Sequence, residues 1–437
     1  MNGSTAKKRV FVMCWTLRIG GVERKIADIA RCLAEERDIT EYEIYLVLAG
    51  DTPEQDTAAT FYPQLAGTPV KRLYVPKVWL HRFRFTIGFY TLWKALQLKP
   101  VVIFAFMRQL GLIALLVKKL LFWRSTKVYI SEDTHASSNL IAETSDVLER
   151  EAARVAVRRI YPWADLVIAP SDASRLDLWE YFGVPLGKVE VAKNWIPSQP
   201  EGQESTGPDV DLVYVGRVAE VKDLPFLLRA VSVLKQRRPL VSLCLVGDGD
   251  DMPRVLELVE TLGLTGNVEL EGFQSDVLKF VRRGRVFCIS SLYEGLPMTV
   301  LEAMSQGLPV VARDYLGAEE LVRNGVTGFV CATPEDMALK IERLLEDEEL
   351  REKLGRNARA LVEREPIHNA RAHLAAVLPP LSSLSSEWEV VLVDDGSTDG
   401  SGQLAQEYLP QARYMRLERA HGPAYARNLG AGVARGE

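Results

Sequence analysis

Along most of the chain, short runs of apolar residues alternate with stretches in which apolar residues recur at the spacing of a helix. Val10 to Trp15 predicts a strand, and Ile26, Ile29 and Ala30 after it recur at the spacing of an amphipathic helix. The same alternation continues to about residue 365. Because strands that alternate with helices form parallel sheets covered on both faces, the predicted fold class is α/β.

Two sheets of this kind are predicted, one in residues 1–197 and one in residues 209–365. The strands expected in the first are 10–15, 43–49, 101–106, 127–131 and 164–171. The strands expected in the second are 211–217, 241–246, 268–272, 285–289 and 308–312. The stretch 198–208 is rich in polar residues, Pro and Gly, which is typical of a linker. Residues 366–386 are expected to form a closing helix and a second linker.

The composition is that of an ordinary soluble globular protein, with 47% apolar and 25% charged residues in 437 positions. A chain of this length is expected to hold about two or three domains. The formal net charge of −5 argues against general nucleic-acid binding. The cysteines are scattered, and we find neither a signal-peptide pattern nor an apolar run that would span a bilayer. These features predict a reduced, cytoplasmic protein.

Basic and aromatic residues are concentrated between residues 71 and 127, and no Asp or Glu occurs from Thr57 to Ser131. The aromatic residues interleaved with the basic ones include Trp79, Phe89, Trp93, Phe122 and Trp123. One interpretation is a surface that rests on anionic lipid headgroups at the inner face of a membrane. The other places the aromatic rings in the core and leaves the charges as a solvated rim.

The stretch from Ser290 to Val311 carries the clearest candidate chemistry. Strands are predicted on either side of one helix, with Pro297 at the first helical position. Glu294 then lies in the preceding loop, and Glu302 lies about 7.5 Å further along the helix axis. Both carboxylates would face the crevice beside helix N-terminal amides, which attract phosphate. This arrangement would suit a nucleotide-activated sugar, although two acids at such a spacing are more often solvated surface residues.

The run Glu-Gly-Leu-Pro…Leu-Glu-Ala-Met between Glu294 and Met304 resembles the signature of retaining glycosyltransferases of family 4. In that family two glutamates are likewise separated by seven residues. The resemblance covers about residues 8–365 and implies the GT-B fold, in which two doubly wound Rossmann-like domains face each other across a cleft.

The resemblance also implies roles for further residues of the second domain. Arg217 and Lys222 match the Arg and Lys with which the family binds the donor phosphates. A cationic pair at the end of a strand suits a diphosphate leaving group, although alone it is equally typical of a solvated surface. Glu294 is implied to hold sugar hydroxyls and Glu302 the ribose, and the backbone near Phe273 is implied to bind the base.

Two more loops complete the implied donor site. The backbone near Leu296 and Met298, with Thr299 at the start of the helix, would contact the diphosphate. In the first domain, Gly20 and Gly21 fall on the family's glycine loop, which faces the diphosphate and the acceptor. Glycines at this point also let a ligand approach the backbone closely.

A residue near the reacting sugar is implied in the loop after strand 127–131, where the family commonly places a histidine or an acid. Glu132, Asp133 and His135 all compete for this position, because the match in this loop is loose. An isolated histidine in a polar loop is usually only exposed. His135 nevertheless joins Glu294, Arg217 and Lys222 among the candidate catalytic residues.

The character of the sequence changes near residue 387. The run Val-Leu-Val-Asp-Asp-Gly-Ser and the later Ala-Arg-Asn-Leu-Gly resemble the opening of a family 2 glycosyltransferase of the GT-A fold, in which Asp394 and Asp395 would contact a nucleotide. Residues 387–437 are therefore expected to be a truncated α/β fragment. The pattern shows neither the opening strand nor the catalytic half of that family, so the fragment is not expected to act alone. About 50 residues also bury little core, so poor packing is expected.

Taken together with these patterns, the resemblance implies a retaining hexosyltransferase that moves a sugar from a nucleotide-diphosphate sugar to a glycan or lipid-linked acceptor in cell-surface glycan synthesis. No metal or other cofactor is expected, since cations and amides would stabilise the departing diphosphate. Two alternatives stay open, a sugar-nucleotide 2-epimerase of the same fold and an inactive sugar-nucleotide-binding scaffold.

Overall fold

The computed structural model of the protein describes residues 8–15, 17, 20–35, 42–49, 65, 68–75, 84–196, 207–364, 391–394 and 413–416. The chain divides into two compact units, residues 1–377 and residues 378–437. The first unit contains two parallel sheets, which we call the first and second lobes. The second unit contains a small two-stranded sheet.

The first lobe is a seven-stranded parallel sheet in the order β3-β2-β1-β4-β5-β6-β7. Its strands are β1 Lys8–Cys14, β2 Tyr42–Leu48, β3 Lys71–Tyr74, β4 Val102–Phe106, β5 Lys127–Ser131, β6 Leu166–Ala169 and β7 Val189–Val191. Its helices are α1 Gly21–Glu35, α2 Arg84–Leu98, α3 Arg108–Leu120, α4 Ala136–Glu143, α5 Val147–Ile160 and α6 Asp172–Glu180. The reversal of strand order at β1 and β4 makes this lobe doubly wound.

The second lobe is a six-stranded parallel sheet in the order β10-β9-β8-β11-β12-β13. Its strands are β8 Val210–Val215, β9 Leu243–Val246, β10 Val268–Gly272, β11 Gly284–Ile289, β12 Val310–Arg313 and β13 Gly328–Cys331. Its helices are α7 Leu224–Lys235, α8 Met252–Thr261, α9 Val277–Val281, α10 Met298–Ser305, α11 Pro334–Glu346 and α12 Glu348–Arg364. Strands β8 and β11 carry the reversal of strand order in this lobe, so their carboxyl ends mark the expected ligand crevice.

The central strands of both sheets are buried on both faces, which explains their uninterrupted apolar sequences. Val12 pairs with Leu46 on one side and with Phe104 on the other, and all three are at most 1% exposed. In the second lobe Val213 pairs with Cys244 and Phe287, which are fully buried as well. The fold class predicted from the alternation of strands and helices is confirmed.

The structure differs from the sequence-based expectations at two points. Strand β3 and helix α2 lie in residues 71–98, the first part of the basic segment, where no element was predicted. Pro297 is not the first helical residue, as predicted, but the residue before helix α10, with an extended ψ of 118°. Its carbonyl oxygen accepts a hydrogen bond from the amide of Leu301, so the proline closes the first turn from outside the helix.

Cys14, Cys244, Cys288 and Cys331 are buried and form no disulfide, as expected of reduced core residues. Burial raises the pKa of the Cys244 thiol to about 12. Among the described residues, no helix is both long and apolar enough to cross a membrane.

In the second unit, strand β14 Val391–Asp394 pairs in parallel with strand β15 Arg413–Arg416. Asp394 is the last residue of β14, and Asp395 lies outside the described residues. The nucleotide role expected for these two residues stays a prediction.

Candidate active site

The loops after strands β8, β9, β10 and β11 lie at one edge of the second sheet, because all of these strands run in parallel. Two of the loops are in direct backbone contact. A Cβ atom on Gly247 would lie 1.8 Å from the carbonyl oxygen of Gly216, and the φ of Gly247 is +140°. Only glycine suits this position, and its presence brings the Gly-Arg turn against the loop after β9.

Glu294 and Lys222 meet at the centre of this edge. The Nζ atom of Lys222 lies 2.5 Å from Oε1 of Glu294, and the hydroxyl of Ser291 donates to the same oxygen at 2.6 Å. The hydroxyl of Ser290 fixes the other loop by donating to the carbonyl of Lys222 at 2.7 Å. Both side chains of the ion pair are partly open to solvent, 21% for Lys222 and 13% for Glu294. A carboxylate and an ammonium group are thus held side by side where a ligand can reach them.

Arg217 lies at the same edge, two residues after β8, and its side chain is exposed. The hydroxyl of Tyr214 donates to the carbonyl oxygen of Arg217 at 3.4 Å. Phe273 follows β10 and is 36% exposed. In the sheet, β9 and β8 lie between β10 and β11, and β11 is the strand that precedes the Glu294 loop. Phe273 is therefore the most remote of the predicted donor-site residues in the second lobe.

Glu302 points to the first lobe from the second turn of helix α10. Its carboxylate is 2% exposed, and its Oε1 atom accepts a hydrogen bond from Nη1 of Arg24 at 2.6 Å. Burial raises the pKa of Glu302, while the charge of Arg24 and its hydrogen bond act in the opposite direction. The carboxylate predicted to bind the ribose is thus held by an arginine of the opposite lobe.

The glycine loop of the first lobe lies over the start of helix α10. A Cβ atom on Gly21 would lie 3.7 Å from the sulfur of Met298, and a Cβ atom on Gly20 would meet the carboxylate of Glu23 at 1.9 Å. Met298 is buried, and Thr299 beside it is half-buried. The structure therefore brings Gly20 and Gly21 to the helix terminus at which the diphosphate was predicted.

The backbone of Leu296 is held from the first lobe. The side-chain amide of Asn194 donates to the Leu296 carbonyl at 2.6 Å in a buried contact. One residue earlier, a Cβ atom on Gly295 would lie 2.3 Å from the carbonyl oxygen of Asp133 and 2.8 Å from Cγ of Pro170. The loop that carries Glu294 is thus packed tightly between two segments of the first lobe.

The three residues that compete for the position near the reacting sugar have different surroundings. Asp133 contacts the Glu294 loop through its backbone, while its Oδ1 atom pairs with Nζ of Lys25 at 2.6 Å. Glu132 is 2% exposed and accepts a hydrogen bond from the hydroxyl of Tyr161. Burial raises the pKa of Glu132 to about 7.

His135 is also inside the first lobe rather than in an exposed loop. It is 2% exposed and precedes helix α4, with its Nδ1 atom 2.9 Å from the hydroxyl of Ser138. Its Nε2 atom lies 3.7 Å from a carboxylate oxygen of Asp177. Burial lowers the pKa of His135, and the charge of Asp177 acts against this effect. Of the three residues, Asp133 is the one that the structure places against Gly295.

Sequence reasoning missed three charged residues that connect the two lobes or support the loop between them. Arg24 and Lys25 follow the glycine loop, and Lys25 lies four residues before Ile29 on the apolar face of α1, which was the available signal. Glu320 of the second lobe accepts hydrogen bonds from the amides of Asp172 and Ala173, at 3.3 and 2.7 Å, at the start of helix α6. Nothing local in the sequence indicates this last contact.

Comparison with known families divides the chain into three parts. Residues 19–199 match the model of Glycosyltransferase Family 4, and residues 197–361 match that of Glycosyl transferases group 1. Residues 366–437 match Glycosyl transferase family 2, so this match begins before the predicted residue 387.

Individual relatives are moderately similar. Alpha-D-kanosaminyltransferase of Streptomyces kanamyceticus is 29% identical over 267 residues, which are 57% of this chain and 66% of that protein. Two further relatives match over only 42% and 40% of their own lengths. N-acetylgalactosamine-N,N'-diacetylbacillosaminyl-diphospho-undecaprenol 4-alpha-N-acetylgalactosaminyltransferase of Campylobacter jejuni is 27% identical over 57% of this chain and 68% of its own.

The fold has close counterparts among solved structures. Anabaena Alr3699/HepE in complex with UDP-glucose superimposes with a TM-score of 0.66 at 20% identity, over 86% of this chain and 100% of that chain. At this identity the likeness concerns the arrangement of the two lobes and not the ligand.

Proposed function

Residues 19–361 belong to the family 4 glycosyltransferases of the GT-B fold, and from this premise we propose that the protein transfers a sugar from a nucleotide-diphosphate sugar to an acceptor with retention of configuration. The observation that carries the proposal is the pair formed by Lys222 and Glu294, whose charged atoms are 2.5 Å apart. In this pair the carboxylate of Glu294 can accept hydrogen bonds from sugar hydroxyls, and the adjacent ammonium group of Lys222 can bind phosphate.

In the proposed complex, hydroxyls of the donor sugar replace Lys222 as partners of Glu294. Lys222 then turns to the diphosphate, which the exposed guanidinium of Arg217 contacts as well. Backbone amides near Leu296 and Met298 supply further donors at the start of helix α10. These groups stabilise the negative charge that develops on the diphosphate as the glycosidic bond breaks. The proposal therefore requires no metal ion.

We assign no protein group as the base. The acceptor hydroxyl attacks the anomeric carbon on the face that the diphosphate leaves, and its proton passes to the departing phosphate oxygen. The task of the protein is then to hold the donor and acceptor in place and to stabilise the leaving group. The backbone of Asp133 against Gly295 closes the first-lobe side of this site.

For the acceptor, we propose a glycan or a lipid-linked saccharide of the cell surface. The Campylobacter jejuni relative is named as acting on a diphospho-undecaprenol compound. A second support is an aromatic patch, by which we mean Phe89, Trp93, Phe122 and Trp123 of the first lobe. Their exposed fractions are 59%, 45%, 80% and 60%.

We further propose that the aromatic patch contacts an anionic membrane surface from the cytoplasmic side. Lys94 lies 4.2 Å from the ring centre of Trp93, so cation and ring are positioned together as at a lipid headgroup layer. The basic surface is smaller than the sequence indicates, because Lys118 and Lys127 pair with Asp165. Lys71 likewise pairs with Glu43.

The test is to incubate the purified protein with UDP-, GDP-, ADP- and dTDP-sugars in EDTA and to measure binding and slow release of the nucleotide diphosphate. UDP-glucose comes first, because HepE was solved with it. We expect one donor to bind and to be hydrolysed. The variants Glu294→Ala and Arg217→Ala should lose hydrolysis by about a hundredfold or more, the scale for loss of a group that stabilises developing charge.

Two exposed helical residues of the same lobe give matched controls, Glu257→Ala and Arg229→Ala. Both should behave like the unchanged protein, since neither lies at the sheet edge. An epimerised donor, or no binding of any donor, would show the proposed reaction to be wrong. Activity that depends on an added divalent metal would refute only the metal-independent part.

A further inference from the structure

Arg24 holds a position that the proposed reaction does not use. Its guanidinium crosses from the first turn of helix α1 to the carboxylate of Glu302 in the second lobe, at 2.6 Å. Arg24 is 32% exposed, whereas Glu302 is 2% exposed. The contact therefore consists of a buried acid and a cation that still has access to the cleft.

A ribose hydroxyl that binds Oε1 of Glu302 takes the place of this arginine. A carboxylate with so little exposed surface has few directions from which to accept hydrogen bonds, and Arg24 occupies one of them. Among the described residues, Arg24 is the one charged partner of Glu302, and a buried carboxylate that loses such a partner is costly unless hydroxyl donors replace it. Binding of a ribose at this oxygen thus means an exchange of partners at Glu302.

The released guanidinium has a nearby destination. Gly21 lies against Met298 at the start of helix α10, and Glu302 is four residues further along that helix, so the two points are about 6 Å apart along its axis. A change of rotamer moves an arginine head over such a distance. The start of α10 is where the diphosphate is expected, and an arginine fork matches phosphate oxygens well.

The neighbours of Arg24 are committed elsewhere. Glu23 lies with its carboxylate over Gly20, and Lys25 is buried in its pair with Asp133. The carboxylate of Glu23 would repel a diphosphate at the glycine loop. A cation is needed there, and among the charged residues of this turn only Arg24 reaches the second lobe in the described contacts.

We propose that Arg24 is a positioning residue that exchanges partners. In the free protein it satisfies Glu302, and when the donor binds, the ribose hydroxyls replace it while the guanidinium moves onto the donor phosphates. This inference rests on the proposed function. In this proposal the ribose of the ligand displaces Arg24 from Glu302, whereas the phosphates of the same ligand bind Arg24.

The test compares a nucleoside with its diphosphate. Dissociation constants of uridine and UDP, and of the guanosine, adenosine and thymidine pairs, are measured by ligand-observed NMR and calorimetry for the unchanged protein and for Arg24→Gln. For the base that binds, the variant should bind the nucleoside about three- to tenfold more tightly, because no ion pair has to be broken. It should bind the diphosphate about tenfold more weakly, because a charged phosphate contact is lost.

Glu320→Gln is the matched control, since Glu320 also joins the two lobes but does so at the start of helix α6. Loosening the lobes in general should move both affinities in the same direction. If Arg24→Gln also shifts nucleoside and diphosphate in the same direction, or shifts neither, the exchange is refuted. If the unchanged protein binds none of the four diphosphates, it is the proposed function that fails.

The conservative variant Arg24→Lys keeps the test valid if Arg24→Gln does not fold, as judged by its thermal unfolding. A lysine preserves a cation for Glu302 but not the fork that binds phosphate through two hydrogen bonds. We therefore expect weaker UDP binding with little change for uridine. Equal loss of both affinities in this variant would contradict the proposal.

Discussion

Lys25 and Asp133 form an ion pair of 2.6 Å in which both side chains are only 2% exposed. The pair joins helix α1 to the loop after β5, whose backbone packs against Gly295. Within the pair, Oδ2 of Asp133 is buried and has no hydrogen-bond partner in the described part of the chain. The pair therefore positions the loop that closes the candidate site. Burying the two charged groups costs desolvation free energy, which lowers the stability gained from the pair.

We expect Lys25→Met to lower the free energy of unfolding by about 3–5 kcal/mol, because the carboxylate of Asp133 is left buried and unpaired. Urea unfolding of variant and unchanged protein measures this difference. The double variant Lys25→Met/Asp133→Leu should recover most of the loss, since no buried charge remains. Lys353→Met on the exposed face of α12 is the control and should change stability by less than about 0.5 kcal/mol.

A second prediction concerns Gly295, for which a Cβ atom would lie 2.3 Å from the carbonyl oxygen of Asp133. The Gly295→Ala variant should lose about 1–3 kcal/mol of stability or open the contact between the lobes, because backbone on the other side cannot yield as a side chain would. Donor hydrolysis should also fall in this variant, because a displaced Gly295 moves the adjacent Glu294. Gly266→Ala, where a Cβ atom meets nothing within 4 Å, should leave hydrolysis unchanged. Equal behaviour of the two variants would show that the tight fit has no consequence.

The sequence was sufficient for the elements whose signals are local. The apolar runs of β1, β5 and β11 predict these strands within one or two residues, and the helical period of Ile26, Ile29 and Ala30 predicts helix α1 without its bounds. The convergence of four loops at one sheet edge also follows from local signals, because parallel strands all end on the same side.

What could not be predicted are contacts between residues far apart in the chain. Arg24 bonds to Glu302 across 278 positions, and Ala173 bonds to Glu320 across 147 positions. Such contacts depend on how the two lobes pack against each other. Neither the local hydrophobic period nor the charge pattern of the sequence indicates this packing. His135 illustrates the reverse error, since a polar neighbourhood in sequence indicated exposure, whereas the fold buries it at 2%.

The aromatic patch leads to a third prediction. The double variant Phe122→Ser/Trp123→Ser should bind vesicles that contain phosphatidylglycerol at least about tenfold more weakly than the unchanged protein, because two exposed rings no longer enter the interface. Cosedimentation with vesicles measures the bound fraction. Binding should also weaken at high salt, since lysines such as Lys94 contribute through their charge.

Trp179→Ser is the control for this experiment, because Trp179 is 46% exposed on helix α6 and lies outside the patch. It should leave vesicle binding unchanged. If the unchanged protein does not sediment with anionic vesicles, or if the double variant and the Trp179→Ser control bind vesicles equally, the aromatic patch is not a membrane contact.

A fourth prediction follows from Glu132, whose pKa is raised to about 7 by burial. The nearby charges of Asp133 and Glu143 also raise this pKa. The hydrogen bond from Tyr161 and the charge of Arg108 lower it. The folded protein then keeps a proton on Glu132 that the unfolded chain loses near its ordinary pKa of about 4.3. Stability contributed by this group is therefore complete below about pH 4, falls as the pH rises through the folded-state pKa of about 7, and stops changing above about pH 8.

The variant Glu132→Gln removes this dependence, because an amide cannot ionise but still accepts the hydrogen bond from Tyr161. Relative to the unchanged protein, the variant should become more stable by about 2–3 kcal/mol between pH 5 and pH 8, with no further gain above pH 8. Urea unfolding at a series of pH values measures the difference, and taking it at each pH cancels the titration of groups that both proteins share. A difference that is the same at every pH would mean that Glu132 is ionised in the folded protein and that its burial is compensated by Arg108.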